Sequence, residues 1–461
     1  MRKSNLLKNN KKTIFYLFIV ALTIRTMAII GGNIVLKDFN LNRDLEYGLI
    51  ARSLINGQGY SLPILETKDW NENTPKEVRG NIPEMFAHAD PTEKGKSKNL
   101  KVTDNYRPSA DQLPFYPMLL AVVYYFSNNQ VSIWVIKIIQ SIFSSITCLI
   151  IYMIAFKLFN QRIAVIAGII SVIYPVFILY TMEIFPETFF TFWLALSVLY
   201  LINFRAVPSL KYGLIAGVLL GITLLNSNVI FPMIPFICLW VLLLKGNWKE
   251  KFKWVMLLMV TAFLIVSPWL IRNYFVFGTF PLMKSTMGVN LWLGNNSNAT
   301  GTHFLETGKP IYSILPKMFY EGFKFSETEQ DKRLYDDAIS YIKKNPMHFV
   351  KLSLKRFFYF TWFPPDNLIS KKVKLYKKIF KLPYGFILIS SIIGFILSFK
   401  KYPKEVLLIF LLICSVTFLY SIFIVGHLRY RMPIEPYIII FSSYTIYAIW
   451  ERILFYFEPI R

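Results

Sequence analysis

Apolar runs near residues 13–36, 132–157, 163–180, 187–204, 212–226, 229–244, 252–271, 383–399, 405–425 and 433–450 recur along almost the whole chain. Crossing a bilayer takes about 20 apolar residues per helix. In lipid every backbone polar group must be satisfied internally, so runs of this kind form helices. Such a series has no place in a soluble domain. The composition agrees: 54% of the 461 residues are hydrophobic and 17% charged, with a mean hydropathy of +0.44, whereas soluble chains are nearer a quarter charged. The expectation is an all-α polytopic membrane protein, a bundle of about ten transmembrane helices.

Lys and Arg exceed Asp and Glu by 51 to 27, a formal charge of +24. In a soluble domain that excess would suggest nucleic acid. Here no nucleic-acid partner is expected, because the cations cluster between apolar runs, as they do in cytoplasmic loops. With the N-terminus inside, the cytoplasmic side collects Lys157 and Arg162, Arg205 and Lys211, Lys245 to Lys253, and Lys400 to Lys404. Two stretches, 114–126 and 347–363, are left lying on the membrane in this arrangement. The first is short for a span, and the second carries Lys351, Lys355 and Arg356, which suits an interfacial helix. The lysine-rich segment 371–381 then stays outside.

This divides the chain into a basic cytoplasmic tail (1–12) and an N-terminal catalytic membrane module (13–272) that includes an external loop at 37–113. A second external loop with amphipathic and interfacial helices (273–382) and C-terminal transmembrane helices (383–461) follow. Helical segments are expected in the loops at 43–55 and at 327–344, the latter with Leu334, Ile339 and Ile342 on its apolar stripe. The basic start lacks a small-residue cleavage site and reads as a retained first helix. Cys148, Cys238 and Cys414 all fall inside apolar runs, so no disulfide framework is indicated. The four histidines have no metal-ligand spacing, and no metal or cofactor is expected.

The first external loop opens with RDLEYGLIARSLINGQGYS, residues 43–61. Asp44 or Glu46, at the membrane surface, could take a proton from a hydroxyl whose reaction partner is held in lipid; acids also simply favour the first turn of a helix. Glu183 and Glu187 occupy the short turn TMEIFPETFF, residues 181–190, on the same membrane face. Acids at membrane depth are costly and often functional, although Glu187 after Pro186 is equally an ordinary helix start. Arg107 in RPSADQLPFYP, Arg272 in PWLIRNYFVFG, and Arg429 and Arg431 in RYRMPIEP could contact a phosphate. The plainer readings are a proline-fixed turn around Arg107 and an interfacial anchor at Arg272, while headgroup snorkelling is an equal alternative for Arg429 and Arg431. Arg25 and Glu435, inside spans, are expected to face the bundle interior in structural roles.

Taken in order, these segments resemble the polyprenyl-phosphate-sugar-dependent glycosyltransferases of the GT-C class, and are similar to bacterial relatives of protein O-mannosyltransferases and lipid A aminoarabinose transferases. The likeness rests on Asp44 three residues before Tyr47 with Ala51 and GQGYS, then RPSADQLPFYP, then PWLIRNYFVFG through LGNNSNATG, and finally RYRMPIEP. It implies a sugar donor on a polyprenyl phosphate, delivered at the outer leaflet of a bacterial cytoplasmic membrane, with membrane lipids as further partners. It implies Asp44 as general base toward a hydroxyl of a protein, lipid or glycan acceptor, with inversion at the anomeric carbon. Arg429, Arg431, Arg272 and Arg107 would hold the phosphate, while Glu187, Glu183 and Tyr47 position donor or acceptor. Several relatives have adjacent Asp-Glu where this chain reads Asp-Leu-Glu, so Asp44 and Glu46 could exchange roles. The alternative enzyme is a polysaccharide polymerase or ligase that also uses polyprenyl-linked sugars. Those usually rely on arginines and a large late external loop, and the early acidic loop here argues against it. A non-catalytic flippase would call for pseudo-symmetric halves, which the sequence lacks.

Overall fold

The computed structural model of the chain describes residues 2–35, 44–67, 100–127, 129–279, 283–314, 326–423 and 428–457. Helix α1 (Arg2–Val35) carries the basic N-terminal residues and the first apolar run in one piece. Then come α2 (Leu45–Ile55), a two-stranded antiparallel hairpin of β1 (Ser61–Thr67) and β2 (Leu100–Pro108), and α3 (Phe115–Phe126). The hairpin pairs Ser61 with Pro108 and Thr67 with Leu100. It flanks the polar insertion around 64–104, most of which lies outside the described residues. No strand is expected from the sequence there, so one small sheet is added to the helical bundle.

The bundle continues with α4 (Asn129–Leu158), α5 (Gln161–Ile173), α6 (Pro175–Met182), α7 (Glu187–Ala206), α8 (Leu210–Asn226), α9 (Ile234–Leu242) and α10 (Trp248–Phe277). Helix starts are set by side-chain caps, which satisfy amides that have no partner within the helix: Asn160 accepts from Ile163 N and Asn247 from Glu250 N. Where the sequence suggests a single helix over 163–180, α5 and α6 meet at a bend of 41°. Pro175 has no N–H to continue the ladder. The carbonyls freed at this break are taken up from a neighbouring helix. Arg25 of α1 donates to Ser171 O and Val172 O there, and to Ser144 Oγ of α4; at the far end of α6, Gln140 of α4 donates to the carbonyls of Tyr180 and Glu183. Arg25 therefore faces the interior, as expected, with carbonyls and hydroxyls as its acceptors.

After α10 come α11 (Met287–Gly294), α12 (Glu327–Lys344), α13 (Pro346–Thr361), α14 (Lys371–Lys401), α15 (Pro403–Ile422) and α16 (Glu435–Phe457). Among the described residues five helices are long and apolar enough to cross a membrane, the bent α5–α6 pair makes a sixth candidate, and four shorter apolar helices accompany them. Close approach between helices rests on glycines. Gly217 and Gly221 of α8 face Thr261 and Ile265 of α10, and Gly394 of α14 faces the carbonyl of Phe441 in α16. In α12 the buried face is Gln330, Leu334 and Ala338, with Ile339 and Ile342 half-buried beside it.

The two ends of the bundle differ. At one end Arg205 lies over Trp240, Trp240 Nε1 donates to Lys404 O, Phe159 meets Tyr402, and Arg162 lies over Trp450. That end carries the basic clusters of 157–162, 205–211 and 400–404. At the other end sit α2, the hairpin and α11 to α13. Lys371–Lys381 is on this second end as well, continuous with the apolar part of α14.

Candidate functional site

The acids of the first loop are positioned by the first turn of α2. Asp44, its N-cap, accepts from Tyr124 Oη at 2.6 Å and from Arg52 Nη1 at 2.9 Å and Nη2 at 3.3 Å. The carboxylate folds back over Gly48, where a Cβ would collide with it. Both its oxygens are thus occupied. Glu46, two residues on, points elsewhere: it is half-buried, and its electrostatic neighbours are Asp111, Arg429 and Lys284. Burial, with Asp111 adding to it, raises its carboxyl above the ordinary range, while Arg429 and Lys284 hold the rise in check.

The α6–α7 turn brings Glu183 and Glu187 to the same place. Glu187 Oε1 lies 3.4 Å from Arg429 Nε. Glu183 accepts from Tyr376 Oη at 2.9 Å, which ties the turn to α14. Arg429 stands in a short 3-10 helix, Leu428–Ile434, with its guanidinium against the rings of Phe185 and Tyr430 at 4.7 and 4.9 Å. Burial works against its charge, but Tyr430 and Glu187 outweigh burial and keep the group cationic. Tyr47 packs edge-on to Tyr116 at 5.3 Å and lies near Glu187 and Arg429.

A second cation, Lys284, enters from the loop after α10. Its ammonium donates to Gln112 Oε1 at 3.1 Å. Burial lowers its pKa, opposed by Asp111 and Glu46. The backbone holding it is fixed by Ser285 N donating to Ala110 O, and by Glu327 of α12, which accepts from Ala110 N and from Ser285 Oγ. Burial and then Asp111 push the Glu327 carboxyl up to about 7. Lys284, Asp111 and Glu327 are not singled out from sequence. Lys284 and Asp111 lie inside or beside the segments that carry the resemblance, but nothing in their spacing marks them.

The remaining expected phosphate ligands have other partners. Arg431, two residues from Arg429, points away from the acids: it pairs with Glu435 at 2.8 Å, donates to the carbonyls of Phe360 and Trp362, and covers the Tyr384 ring. Arg272 donates to Ser109 O and Tyr60 O at 2.7 Å each. It lines a separate cleft of about 370 Å³ between the GQGYS turn, Tyr106 and Val276. Arg107 reaches Gln330 Oε1 at 3.5 Å. His303 is near Arg429, and burial takes its pKa down to about 3, so the imidazole is neutral. His88 and His427 lie outside the described residues. Among the described residues no group of three potential ligands could hold a metal ion.

Thus one end of the bundle gathers Glu46, Glu187 and Asp111 with Arg429 and Lys284, from five distant segments. Residues 110–271 match the family model for dolichyl-phosphate-mannose-protein mannosyltransferase. An archaeal oligosaccharyltransferase, AglB from Archaeoglobus fulgidus, in complex with an inhibitory peptide and a dolichol-phosphate, superimposes with a TM-score of 0.52 over 97% of this chain at 12% identity. The chain shares the GT-C fold of these membrane glycosyltransferases. A second structure of the Archaeoglobus enzyme, tethered to an acceptor peptide, gives 0.52 over 96% at 13% identity. The chain spans about half the length of these oligosaccharyltransferases, 51% and 50%. The ArnT structure from Cupriavidus metallidurans bound to undecaprenyl phosphate aligns over 88% of this chain and 76% of its own, at 11% identity and a TM-score of 0.41. No curated protein matches in sequence.

Proposed function

We propose that this protein transfers a sugar from a polyprenyl-phosphate donor to an acceptor hydroxyl, with inversion, at the face of a bacterial cytoplasmic membrane that lies outward. The observation that carries the reading is that Glu46 lies within the electrostatic reach of Arg429 and Lys284 at the bundle end that bears the two long loops. Displacing a sugar from a phosphate needs no acid to protonate the leaving group, but its charge must be held. A cationic pair supplies that. The attacking hydroxyl needs a base, and Glu46 suits the role better than Asp44. Asp44 already accepts three hydrogen bonds from Arg52 and Tyr124, whereas a partly buried carboxyl with raised pKa is the stronger proton acceptor once ionised. Asp44 then orients the first turn of α2, and Tyr47 packs against the acceptor side.

In this assignment Arg429 and Lys284 bind the donor phosphate. Glu187 aims Arg429, Glu183 is a positioning residue held by Tyr376, and Arg431 fixes the 3-10 turn from below. Arg272 and Arg107 brace the loop that carries Asp111. Attack on the anomeric carbon opposite the phosphate forms the new glycosidic bond as the old C–O bond breaks. The hydroxyl proton passes to Glu46, and polyprenyl phosphate leaves. The dolichol-phosphate bound to the archaeal neighbour supports a lipid phosphate as the donor's carrier.

The test uses the full-length protein in lipid, a panel of polyprenyl-phosphate sugars and an envelope acceptor fraction, with release of free polyprenyl phosphate as the readout. Acceptor-dependent release is expected from the wild type and from Asp44→Asn at a reduced rate, with none from Glu46→Gln. Loss in Asp44→Asn with activity kept in Glu46→Gln would return the base to Asp44. Absence of release with every donor, from folded protein, would overturn glycosyl transfer.

A further inference from the structure

The lysine-rich start of α14 presents one chemistry outward and another inward. Lys371, Lys374, Lys378 and Lys381 are all exposed, and their spacing places them on one face of a helix with 3.6 residues per turn. The same face continues without a break into Leu382, Phe386, Ile389 and Ile396, which are 83%, 62%, 65% and 52% exposed. A single helical stripe therefore changes from ammonium to hydrocarbon between Lys381 and Leu382. From there to Lys400 is roughly 28 Å at 1.5 Å per residue, close to the thickness of a bilayer's apolar core. The change marks the membrane boundary, and the four lysines stand in the headgroup layer.

Which boundary it is follows from the opposite face of the same stretch. Tyr376 is buried and donates to Glu183, so the lysines are at the end that carries the candidate site. The neighbouring helix α13 repeats the pattern. Leu352, Arg356 and Phe360 face inward, while Met347, Val350, Leu354 and Phe358 are exposed beside Lys351 and Lys355. Asp366 is the carboxylate near the lysine stripe, and it is bonded to Lys377 at 2.6 Å. Among the described residues no acid is in an ion pair with any of the four stripe lysines. Lysines interleaved with exposed apolar side chains suit a lipid surface, because a water-borne polyanion would leave the apolar ones wet.

We propose that the outer face of α13 and the start of α14 form a docking collar for anionic phospholipid headgroups in the leaflet that the site faces. Lysines just beyond a span are drawn to anionic headgroups, and here they stand on the side where loop-charge rules place few cations. The collar's inner face is Tyr376 on Glu183, so lipid held outside steadies a group of the site. The inference concerns lipid binding alone and stands or falls apart from sugar transfer.

Full-length protein in nanodiscs of phosphatidylcholine with a minor share of phosphatidylglycerol, probed with spin-labelled forms of each lipid, measures the preference directly. A several-fold preference for phosphatidylglycerol is expected in the wild type, falling as salt is raised. It should fall markedly in the variant carrying Lys371→Gln, Lys374→Gln, Lys378→Gln and Lys381→Gln, and be kept when the four are changed to Arg. A wild type with no preference, or a folded glutamine variant with the full preference, overturns the proposal. If the glutamine variant does not fold, a wild-type preference insensitive to salt overturns it equally. So does lysine-dependent capture of soluble polyglutamate by protein in neutral nanodiscs without any lipid preference, which would assign the face to a polyanionic acceptor.

Discussion

The pair between Arg429 and Glu187 can be tested by a double-mutant cycle. Its atoms are 3.4 Å apart, with 20% and 11% of the two side chains exposed. At that separation and an effective dielectric constant of about 20, the attraction is about 5 kcal/mol before dehydration offsets much of it. Glu187 Oε2 is buried with no hydrogen-bond partner among the described residues, so Arg429 is the carboxylate's main counter-charge, with a backbone amide and Lys284 adding less. Arg429→Met would leave that charge buried and unpaired, at a cost of about 3–5 kcal/mol. Glu187→Gln should cost less, because Arg429 keeps the Tyr430 hydroxyl and the rings of Phe185 and Tyr430. The double variant removes both charges, and a coupling of about 2 kcal/mol is expected. Unfolding of the four proteins by SDS titration in mixed micelles reads it. Additivity within about 0.5 kcal/mol would refute the claim that Glu187 aims Arg429.

Because burial raises the Glu46 carboxyl above the ordinary glutamate range, transfer should rise with pH through that raised pKa and fall below it, where Glu46 is protonated. An unchanged acid limb in a residually active Glu46→Asp variant would point to another base. Glu327 has a folded pKa of about 7, above that of an unfolded glutamate, so its contribution to stability is present at low pH and is lost as pH rises through 7. Glu327→Gln should flatten that slope in unfolding midpoints measured from pH 5 to 8, and a slope equal to the wild type's would remove Glu327 as its source. Gly394→Ala places a methyl against the Phe441 carbonyl. Forcing α14 and α16 apart should cost about 1–3 kcal/mol, and a midpoint equal to wild type would show that this contact yields.

Much of the helical architecture is readable from hydropathy, since a lipid-facing helix must be apolar along its length whatever it packs against. The segment 43–55 and the amphipathic 327–344 were legible for a similar reason, one from its acids and the other from its 3.6-residue stripe. The break at Tyr174 was marked by Pro175, yet a proline alone does not fix a bend. The bend holds because Arg25, on another helix, satisfies the carbonyls it frees. The strands at 61–67 and 100–108 were hidden because their pairing is separated by a long polar insertion.

The candidate site divides in the same way. Sequence by itself determined that this is a membrane bundle, which end gathers the acids, and that Asp44, Glu46, Glu183, Glu187 and Arg429 belong to one face. Those properties follow from composition and from the order of apolar runs. Tertiary structure alone decided how these residues are partnered. Asp44 is taken by Arg52 and Tyr124, Arg431 by Glu435, and Arg272 by backbone carbonyls, while Lys284 is drawn in beside Glu46 and Asp111. Whether a carboxylate is free to accept a proton depends on which donors lie within about 3 Å of it. Some partners are local, Arg52 eight residues from Asp44 and Glu435 four from Arg431. But Tyr124 lies 80 residues from Asp44 and Tyr60 lies 212 from Arg272, and no local pattern of residues encodes those.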